Sequence, residues 1–426
     1  MSRKGGNIID KSEVFRTRYA TTVNAQFAQL YYQRLTVLKP RMLSVVEATW
    51  GHKYRVCTVS DVVENETVCL IGTLYKEMEL KPNILREMHE DFEIHGQIVL
   101  QRYTSDTDTL YIEDESQRII VVGKKLDLPM VVTGVIAALI GWKNGTGAFV
   151  VEDYRFLGMP PQPHFDLPES DCYLAFFSGL GLGRSNTSTF PVDSCIDLLA
   201  GRTGDEKQRQ KMACVAAVII AGDLIEVDLE ERQKLSVKTR HLSRHKSLEG
   251  SVEKMQNVDA TLASLVRHVD VYIMPGSKDP ANLLLPQQPL HVSMFPLCNK
   301  SAGLHLVTNP FRFDLQCIRV LGTSGQNVSD IYKNCRTNDP LDILEQTLHW
   351  GHMAPTAPDT LGKKYFPTAY DRKFIRVFYL FLRRLLSFCG NYINFRETYL
   401  FVWLSQNSHH IATMRFSVSA TKIALM

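Results

Sequence analysis

Three short segments carry residue types that could take part in metal chemistry, and each follows an apolar run. They are Ser178-Gly179-Leu180-Gly181-Leu182-Gly183, Gly222-Asp223-Leu224-Ile225-Glu226 and Pro275-Gly276-Ser277-Lys278-Asp279. A binuclear metallophosphoesterase needs Asp, His and Asn side chains at such positions, because two divalent ions clamp the phosphate and activate water. These segments therefore decide whether the chain can hydrolyse phosphate esters.

The segments lack most of the ligands that this chemistry requires. The first has no carboxylate and no imidazole, and the third has Ser277 and Lys278 where an active enzyme would have Asn and His. A lysine cation opposes a metal ion. Asp223 could still bind a metal, but a carboxylate at a strand end also caps turns and helices, and we favour that role. We predict no catalytic, cofactor-binding or metal-binding residues, and the positions of a vestigial site are Ser178, Asp223, Ser277, Lys278 and Asp279.

Two other motifs have a structural and a functional interpretation. The glycines from Gly179 to Gly183 could cradle a phosphate, but Asn186 stands where a dinucleotide fingerprint has Gly or Ala, so a tight turn is favoured. His349 and His352 are spaced to share a helix face, but Gly351 indicates that the helix ends there. We interpret these two histidines and His291 as surface or core residues.

The elements that must position these segments alternate between strand and helix. Buried-type strands are predicted at 173–178, 215–223 and 270–276, with helical periodicity over 191–213 and 249–267. This βαβαβ order predicts a mostly parallel sheet with flanking helices. In such sheets the site lies at the carboxyl ends of the strands.

The N-terminal part has a different pattern. A helix is predicted from Ser12 to Lys39, ended by Pro40. Residues 55–157 contain five β-rich runs, including a long strand at 131–142, and Asn144-Gly145-Thr146-Gly147 is a strong hairpin turn. This pattern favours a small barrel of the OB type over a β-sandwich.

Composition restricts the functional class. The chain of 426 residues has 45% hydrophobic residues and nine cysteines without a C-x-x-C pair, which argues against a zinc ribbon and for a reducing compartment. We predict no membrane span. Residues 363–426 carry a net charge of +8 and the rest −5, so the body shows no evident surface for gripping DNA.

Several runs along the chain carry a family resemblance. They are Tyr31-Tyr32-Gln33-Arg34-Leu35, Val151-Glu152-Asp153-Tyr154, Ser178 to Gly183, Pro286-Gln287-Gln288-Pro289-Leu290-His291, Leu306-Val307-Thr308-Asn309-Pro310, Gly322-Thr323-Ser324-Gly325-Gln326-Asn327-Val328-Ser329-Asp330 and Pro355 to Leu361. These runs resemble the small regulatory subunits, the B subunits, of eukaryotic DNA polymerase delta. The resemblance covers roughly residues 15–362. Residues 363–426 depart from the family, and we interpret them as a divergent basic tail from an alternative reading frame or retained intron.

The resemblance implies a fold and a set of partners. The expected fold combines α+β and α/β parts: an N-terminal helical segment (1–45), an OB-fold β-barrel (46–160) and an inactive calcineurin-like phosphoesterase domain with a central sheet and flanking helices (170–362), before the tail (363–426). The expected partners are the C-terminal domain of the polymerase catalytic subunit and the third, clamp-binding subunit, with DNA reached only through the complex. The expected location is the nucleus, in replication and repair.

Three functional hypotheses follow. The favoured one is a non-catalytic scaffold that bridges polymerase subunits. A single-stranded DNA-binding OB-fold protein is disfavoured because residues 55–157 contain at least as many acidic as basic residues. An active metal-dependent phosphoesterase is the least favoured, because of the missing ligands.

Overall fold

A computed structural model describes most of the chain. It describes residues 3, 8–16, 27–81, 101–159, 172–182, 189–225, 242–282, 285–315, 318–361 and 401–402. The chain divides into two compact units. The first comprises Met1–Arg18, Pro163–Gln326 and Gly390–Met426, and the second comprises Tyr19–Gln162 and Asn327–Cys389. Within the described part, no helix is long and apolar enough to cross a membrane.

The strands and helices follow one another in a mixed α/β order. The strands are β1 (Ile8–Asp10), β2 (Arg55–Cys57), β3 (Val68–Glu77), β4 (Thr109–Glu113), β5 (Arg118–Val122), β6 (Ile136–Lys143), β7 (Phe149–Phe156), β8 (Tyr173–Phe177), β9 (Val215–Ala221), β10 (Asp270–Met274), β11 (Leu304–Leu306), β12 (Phe311–Leu315), β13 (Ile318–Gly322) and β14 (Phe401–Val402). The α-helices are α1 (Phe27–Trp50), α2 (Phe190–Leu199), α3 (Glu206–Ala213), α4 (Leu242–Val266), α5 (Gln326–Asn334) and α6 (Pro340–Trp350).

The second unit contains a closed β-barrel. Its strands run in the order β2-β3-β4-β5-β7-β6, and pairing of β3 with β6 closes the ring. The predicted turn at Asn144–Gly147 joins β6 to β7, where the Asn144 carboxamide oxygen accepts from the amides of Thr146 and Ala148. The closed ring confirms the prediction of a barrel rather than a sandwich.

The predicted strand over residues 131–142 is wrong at its start. Strand β6 begins at Ile136, because Gly134 adopts a positive φ of 94° and leaves the extended conformation. The Gly134 amide donates to Leu74 O at 2.8 Å, which holds this kink against β3.

Helix α1 contradicts the prediction that Pro40 ends the N-terminal helix. Residues 12–15 form a 3-10 turn, whereas α1 runs from Phe27 to Trp50 with Pro40 inside it. The apolar side chains that cross the proline are all buried against the outside of β3 and β6; they are Leu35, Leu38, Met42 and Val46. Each contributes about 1.5–3 kcal/mol on burial, which together outweighs the roughly 3 kcal/mol that an interior proline costs.

The first unit contains a four-stranded sheet in the order β11-β10-β9-β8, in which all pairs are parallel. This confirms the predicted βαβαβ order. The predicted helix over 191–213 is instead two helices, α2 and α3, because Gly201 and Gly204 both have positive φ. Asp205 then starts α3 with a capping box to Gln208. Helix α4 begins earlier than the predicted residue 249.

A second sheet packs on the parallel one within the same unit. Its order is β1-β12-β13-β14, with β12 antiparallel to β13. Side chains from both sheets share one core, including Phe176, Ile219 and Met274 from the parallel sheet and Phe311 and Phe313 from β12. The two residues of β14 pair in parallel with Leu321 and Gly322. The rest of the basic tail lies outside the described residues.

Residues 327–361 belong to the compact unit that holds the barrel. The ammonium of Lys76, on β3, donates to Asn334 O at 3.2 Å and lies 3.3 Å from the Asp108 carboxylate. The buried Arg34 guanidinium, on α1, donates to Pro355 O at 2.8 Å and to Ala357 O. The boundaries of the four predicted segments stay predictions.

Candidate functional site

The carboxyl ends of β8, β9 and β10 meet at one edge of the parallel sheet, as the strand order requires. Main-chain hydrogen bonds join the segment after β8 to the segment after β9. Gly179 N donates to Gly222 O at 3.2 Å and Leu182 N donates to Leu224 O at 2.9 Å. The Ser178 hydroxyl donates to Ala221 O at 2.9 Å. Ser178, one of the predicted vestigial positions, therefore links the ends of two strands.

Asp223 lies directly after β9 and is 5% exposed. One of its carboxylate oxygens accepts from the Lys278 amide at 3.2 Å and from the Ser277 hydroxyl at 3.4 Å. The other lies 3.9 Å from the Lys278 ammonium. Asp223 thus caps the turn that follows β10, rather than the turn that follows Asp223 itself, and its charge is balanced by Lys278.

Asp279 makes the reciprocal contact. It is 4% exposed, and its carboxylate accepts from Leu224 N at 2.7 Å, Gly276 N at 2.8 Å and, at 3.4 Å, Ile225 N. Burial raises the pKa of Asp279 to about 6, with the charge of Asp223 adding to the effect against these amide hydrogen bonds. We call Asp223, Asp279 and Lys278 the carboxylate clasp, because each aspartate caps the turn that carries the other.

Two glycines bring the turns of the carboxylate clasp into contact. A methyl group on Gly222 would lie 2.5 Å from the Cα of Gly276, and one on Gly276 would overlap the Asp223 amide. Gly222 also has a φ of 76°. Backbone therefore occupies the space between the ends of β9 and β10.

A network of neutral amides lies beside the clasp. The Asn309 carboxamide donates to Gln287 Oε1 at 2.7 Å and Gln326 Oε1 at 3.0 Å, and its oxygen accepts from Ser324 N at 3.2 Å. Gln287 donates onward to Gly276 O at 3.0 Å. These groups satisfy the buried carbonyls at the end of β10.

The polar side chains at this edge of the sheet form hydrogen bonds with neighbouring groups of the protein. Among the described residues, no group of three or more His, Cys, Asp or Glu side chains is arranged to hold a metal ion. The Ser178 hydroxyl and the carboxylates of Asp223 and Asp279 are all hydrogen-bonded to neighbouring backbone or side chains. These hydrogen bonds hold the ends of β8, β9 and β10 together.

The glycine run after β8 forms a tight turn in its described part. Gly179 and Gly181 have positive φ, and the Gly181 amide donates to Asp223 O at 3.3 Å. Those amides are therefore engaged by backbone, in agreement with the favoured interpretation. Gly183 and Asn186 lie outside the described residues.

The interactions described for the three histidines involve groups outside the carboxylate clasp. His291 accepts from Ser293 N and caps a 3-10 turn. Helix α6 ends at Trp350, and Gly351 follows it with a φ of 65°, as predicted. His352 therefore lies beyond the helix, while exposed His349 lies on it near Glu345. Burial, together with the Arg34 charge, lowers the pKa of His352 well below its usual value. His352 is a core residue and His349 a surface one.

Sequence reasoning missed the roles of Asp279 and of the amide network. Asp279 stands out in the sequence for its place in a ligand pattern, although its spacing after Gly276 also suits a carboxylate that caps its own turn. Gln287, Asn309 and Gln326 lie in runs that carry the family resemblance. Their convergence needs the tertiary fold, because 39 residues separate Gln287 from Gln326.

Comparison with known proteins identifies the family to which the chain belongs. The family of the DNA polymerase delta subunit OB-fold domain matches residues 26–154, and the B-subunit family of DNA polymerases alpha and epsilon matches residues 174–375. The DNA polymerase delta small subunit of Arabidopsis thaliana is 35% identical over 364 residues, covering 84% of this chain and 80% of that protein. The chain belongs to the DNA polymerase delta small-subunit family.

Other polymerase small subunits are similar over most of the chain. DNA polymerase delta subunit 2 of Drosophila melanogaster is 34% identical, covering 82% of this chain and 80% of that protein. The DNA polymerase II small subunit of Methanothermobacter thermautotrophicus is 23% identical, covering 73% of this chain and 66% of that protein. The OB-fold match spans α1 and most of the barrel, so the small-subunit family accounts for the closed barrel described above.

Proposed function

We propose that this chain is a non-catalytic accessory subunit of DNA polymerase delta. It acts as a scaffold that bridges the C-terminal domain of the catalytic subunit and the third, clamp-binding subunit in DNA replication and repair synthesis. It contacts DNA through the complex and works in the nucleus. Membership of the small-subunit family supports the role, since relatives that match over most of their own length carry that name.

We further propose that the first unit is an inactive calcineurin-like phosphoesterase domain. The observation that carries this proposal is the carboxylate clasp. An active site of this class needs several oxygen and nitrogen ligands around two divalent ions. Here the Lys278 ammonium lies 3.9 Å from Asp223, and Asp279 is occupied by three amides.

The scaffold role is tested by co-expression of the full chain with the C-terminal domain of the catalytic subunit and, separately, with the third subunit. We expect each to co-purify with the chain through size-exclusion chromatography. Elution of the folded chain apart from both partners would contradict the proposal.

The inactive site is tested by a manganese-supplemented assay on a nitrophenyl phosphodiester. We expect no turnover above that of the protein-free control. The variant Asp223→Asn and the matched Asp259→Asn, which alters a buried aspartate on α4, are assayed beside the wild type. Turnover that is lost in Asp223→Asn and kept in Asp259→Asn would establish an active site and overturn the proposal.

A further inference from the structure

The outer surface of the barrel has two parts, and among the described residues a helix covers only one of them. Helix α1 packs on the first half of β3 and on β6, over residues such as Cys69 and Ile71. Because side chains alternate along a strand, Tyr75 and Glu77 project from the same outer side further along β3. At this end of β3, Tyr75 and Glu77 lie beside outward-facing residues of β4 and β5 and outside the part of the barrel that α1 covers.

The second part has an apolar centre. Cross-strand register places Tyr75 beside Tyr111 and Tyr111 beside Ile120. The two tyrosine rings are 6.3 Å apart, and Ile120 and Val122 are 40% and 39% exposed. We call Tyr75, Tyr111, Ile120 and Val122 the barrel patch.

Charged side chains of both signs frame the barrel patch. The Arg118 guanidinium lies over the rings of Tyr75 and Tyr111, at 5.8 and 5.3 Å from their centroids. Glu77 and Glu113 are exposed at the ends of β3 and β4. An apolar centre with a polar rim is the anatomy of a protein interface, and two carboxylates against one guanidinium favour a partner that carries a basic residue rather than the phosphates of a nucleic acid.

The backbone beside the barrel patch is also open. Strand β5 pairs with β7 only at Val121 and Val122, so the same side of β5 from Arg118 to Ile120 has no ladder partner among the described residues. An open strand edge next to an apolar face suits an extended segment, whose backbone pairs with the edge while alternate side chains rest on the face. A face of this size is smaller than a standard interface of roughly 20–30 residues a side, which favours a short segment.

We propose that the barrel patch and the adjoining edge of β5 bind an extended segment of a partner polymerase subunit. The segment presents alternating aliphatic side chains and at least one Lys or Arg toward Glu77 or Glu113. This inference rests on the proposed scaffold function and adds to it the surface and the chemistry of one partner contact.

The test measures the affinity of the full chain for the catalytic subunit and for the third subunit, each immobilised separately. The variant Ile120→Glu places a charge in the barrel patch. Its matched control is Val56→Glu, on β2 of the same barrel, where Val56 is 39% exposed compared with 40% for Ile120. We expect Ile120→Glu to weaken binding of one subunit tenfold or more and Val56→Glu to change it less than twofold, because a central apolar contact dominates binding. Circular dichroism confirms that both variants are folded.

A second measurement needs no variant. Amide hydrogen exchange of the wild-type chain, alone and in the complex, should show new protection in residues 118–122. Equal binding by Ile120→Glu and the wild type, without new protection in 118–122, overturns the inference while leaving the scaffold function intact. Failure of the wild type to bind either subunit overturns both.

Two other occupants of the barrel patch would be revealed by substitutions within it. Salt-sensitive binding of a single-stranded oligonucleotide that Tyr111→Ala abolishes would assign the patch to nucleic acid. Concentration-dependent dimerisation that Ile120→Glu abolishes would assign it to a second copy of the chain. Either result overturns the inference.

Discussion

The variant Asp279→Asn tests whether the strand ends are held by a buried carboxylate. In the wild type, Asp279 accepts short hydrogen bonds from Leu224 N and Gly276 N, at 2.7 and 2.8 Å. Asn keeps one accepting oxygen and replaces the other with a donor, so one of these amides loses its acceptor. A buried donor without a partner costs about 1–3 kcal/mol. Asn also removes the charge that burial disfavours at pH 7, which offsets part of this cost. We therefore expect the free energy of unfolding of the first unit to fall by less than that amount at pH 7.

The same variant removes a titration whose sign follows from burial. Burial raises the pKa of Asp279 to about 6 in the folded chain, compared with about 3.9 for an unfolded aspartate. Folding therefore favours the protonated form, and the free energy of unfolding rises as pH falls through 6 toward 4. Two pKa units correspond to about 3 kcal/mol, of which about 2 kcal/mol is present at pH 4. Asp279→Asn lacks this gain, so its destabilisation relative to the wild type grows by about 2 kcal/mol between pH 7 and pH 4.

Native-state hydrogen exchange of peptides from β9 and β10 measures this difference. Tryptophan fluorescence reports mainly on the second unit, which holds Trp50, Trp142 and Trp350, three of the four tryptophans. The control is Asp259→Asn, which alters another buried carboxylate of the first unit, one that accepts from Leu297 N and Cys298 N. A difference between wild type and Asp279→Asn that is the same at pH 4 and pH 7 would refute the reasoning.

Three further predictions test the packing that supports the two units. Gly222→Ala should destabilise the first unit by about 2–5 kcal/mol, because the methyl group adds both backbone strain and overlap. Gly179 has a similar φ but open space around it, so Gly179→Ala should cost only the strain, about 1–2 kcal/mol. Hydrogen exchange distinguishes the two. Lys76→Met leaves Asp108 buried without its cation and should cost about 3–5 kcal/mol in the fluorescence-monitored unfolding of the second unit, and adding Asp108→Leu should restore part of the loss. Leu38→Ala should cost about 2–5 kcal/mol in the same experiment, and a loss below about 1 kcal/mol would mean that α1 is not anchored on the barrel.

Local patterns predicted the strands and turns well, because alternation and glycine placement act within a few residues. The turn at Asn144–Gly147 and the helix end at Gly351 follow from side-chain and φ preferences that need no distant partner. The course of α1 does not. Pro40 lowers helix stability locally, and only burial of Leu38 and Met42 on the barrel reverses that preference.

The candidate site was predictable in its composition but not in its connections. The types of Ser277 and Lys278 alone predict a disabled ligand set, and this stays a prediction. The reciprocal capping by Asp223 and Asp279 depends on two turns that 55 residues separate along the chain. Likewise, Asn334 contacts Lys76 across 258 residues, so the packing of residues 327–361 with the barrel could not be predicted from local periodicity.

The most direct test of the central claim compares DNA synthesis by two assembled complexes. Each contains the polymerase delta catalytic subunit and third subunit, with either the wild-type chain or Asp223→Asn. Asn retains an accepting oxygen for the Lys278 amide, so assembly should be preserved. Equal rates of primer extension by the two complexes are expected if Asp223 only caps a turn. Slower primer extension by the complex with Asp223→Asn, if that complex remains assembled, would contradict the claim that this subunit has no chemistry of its own.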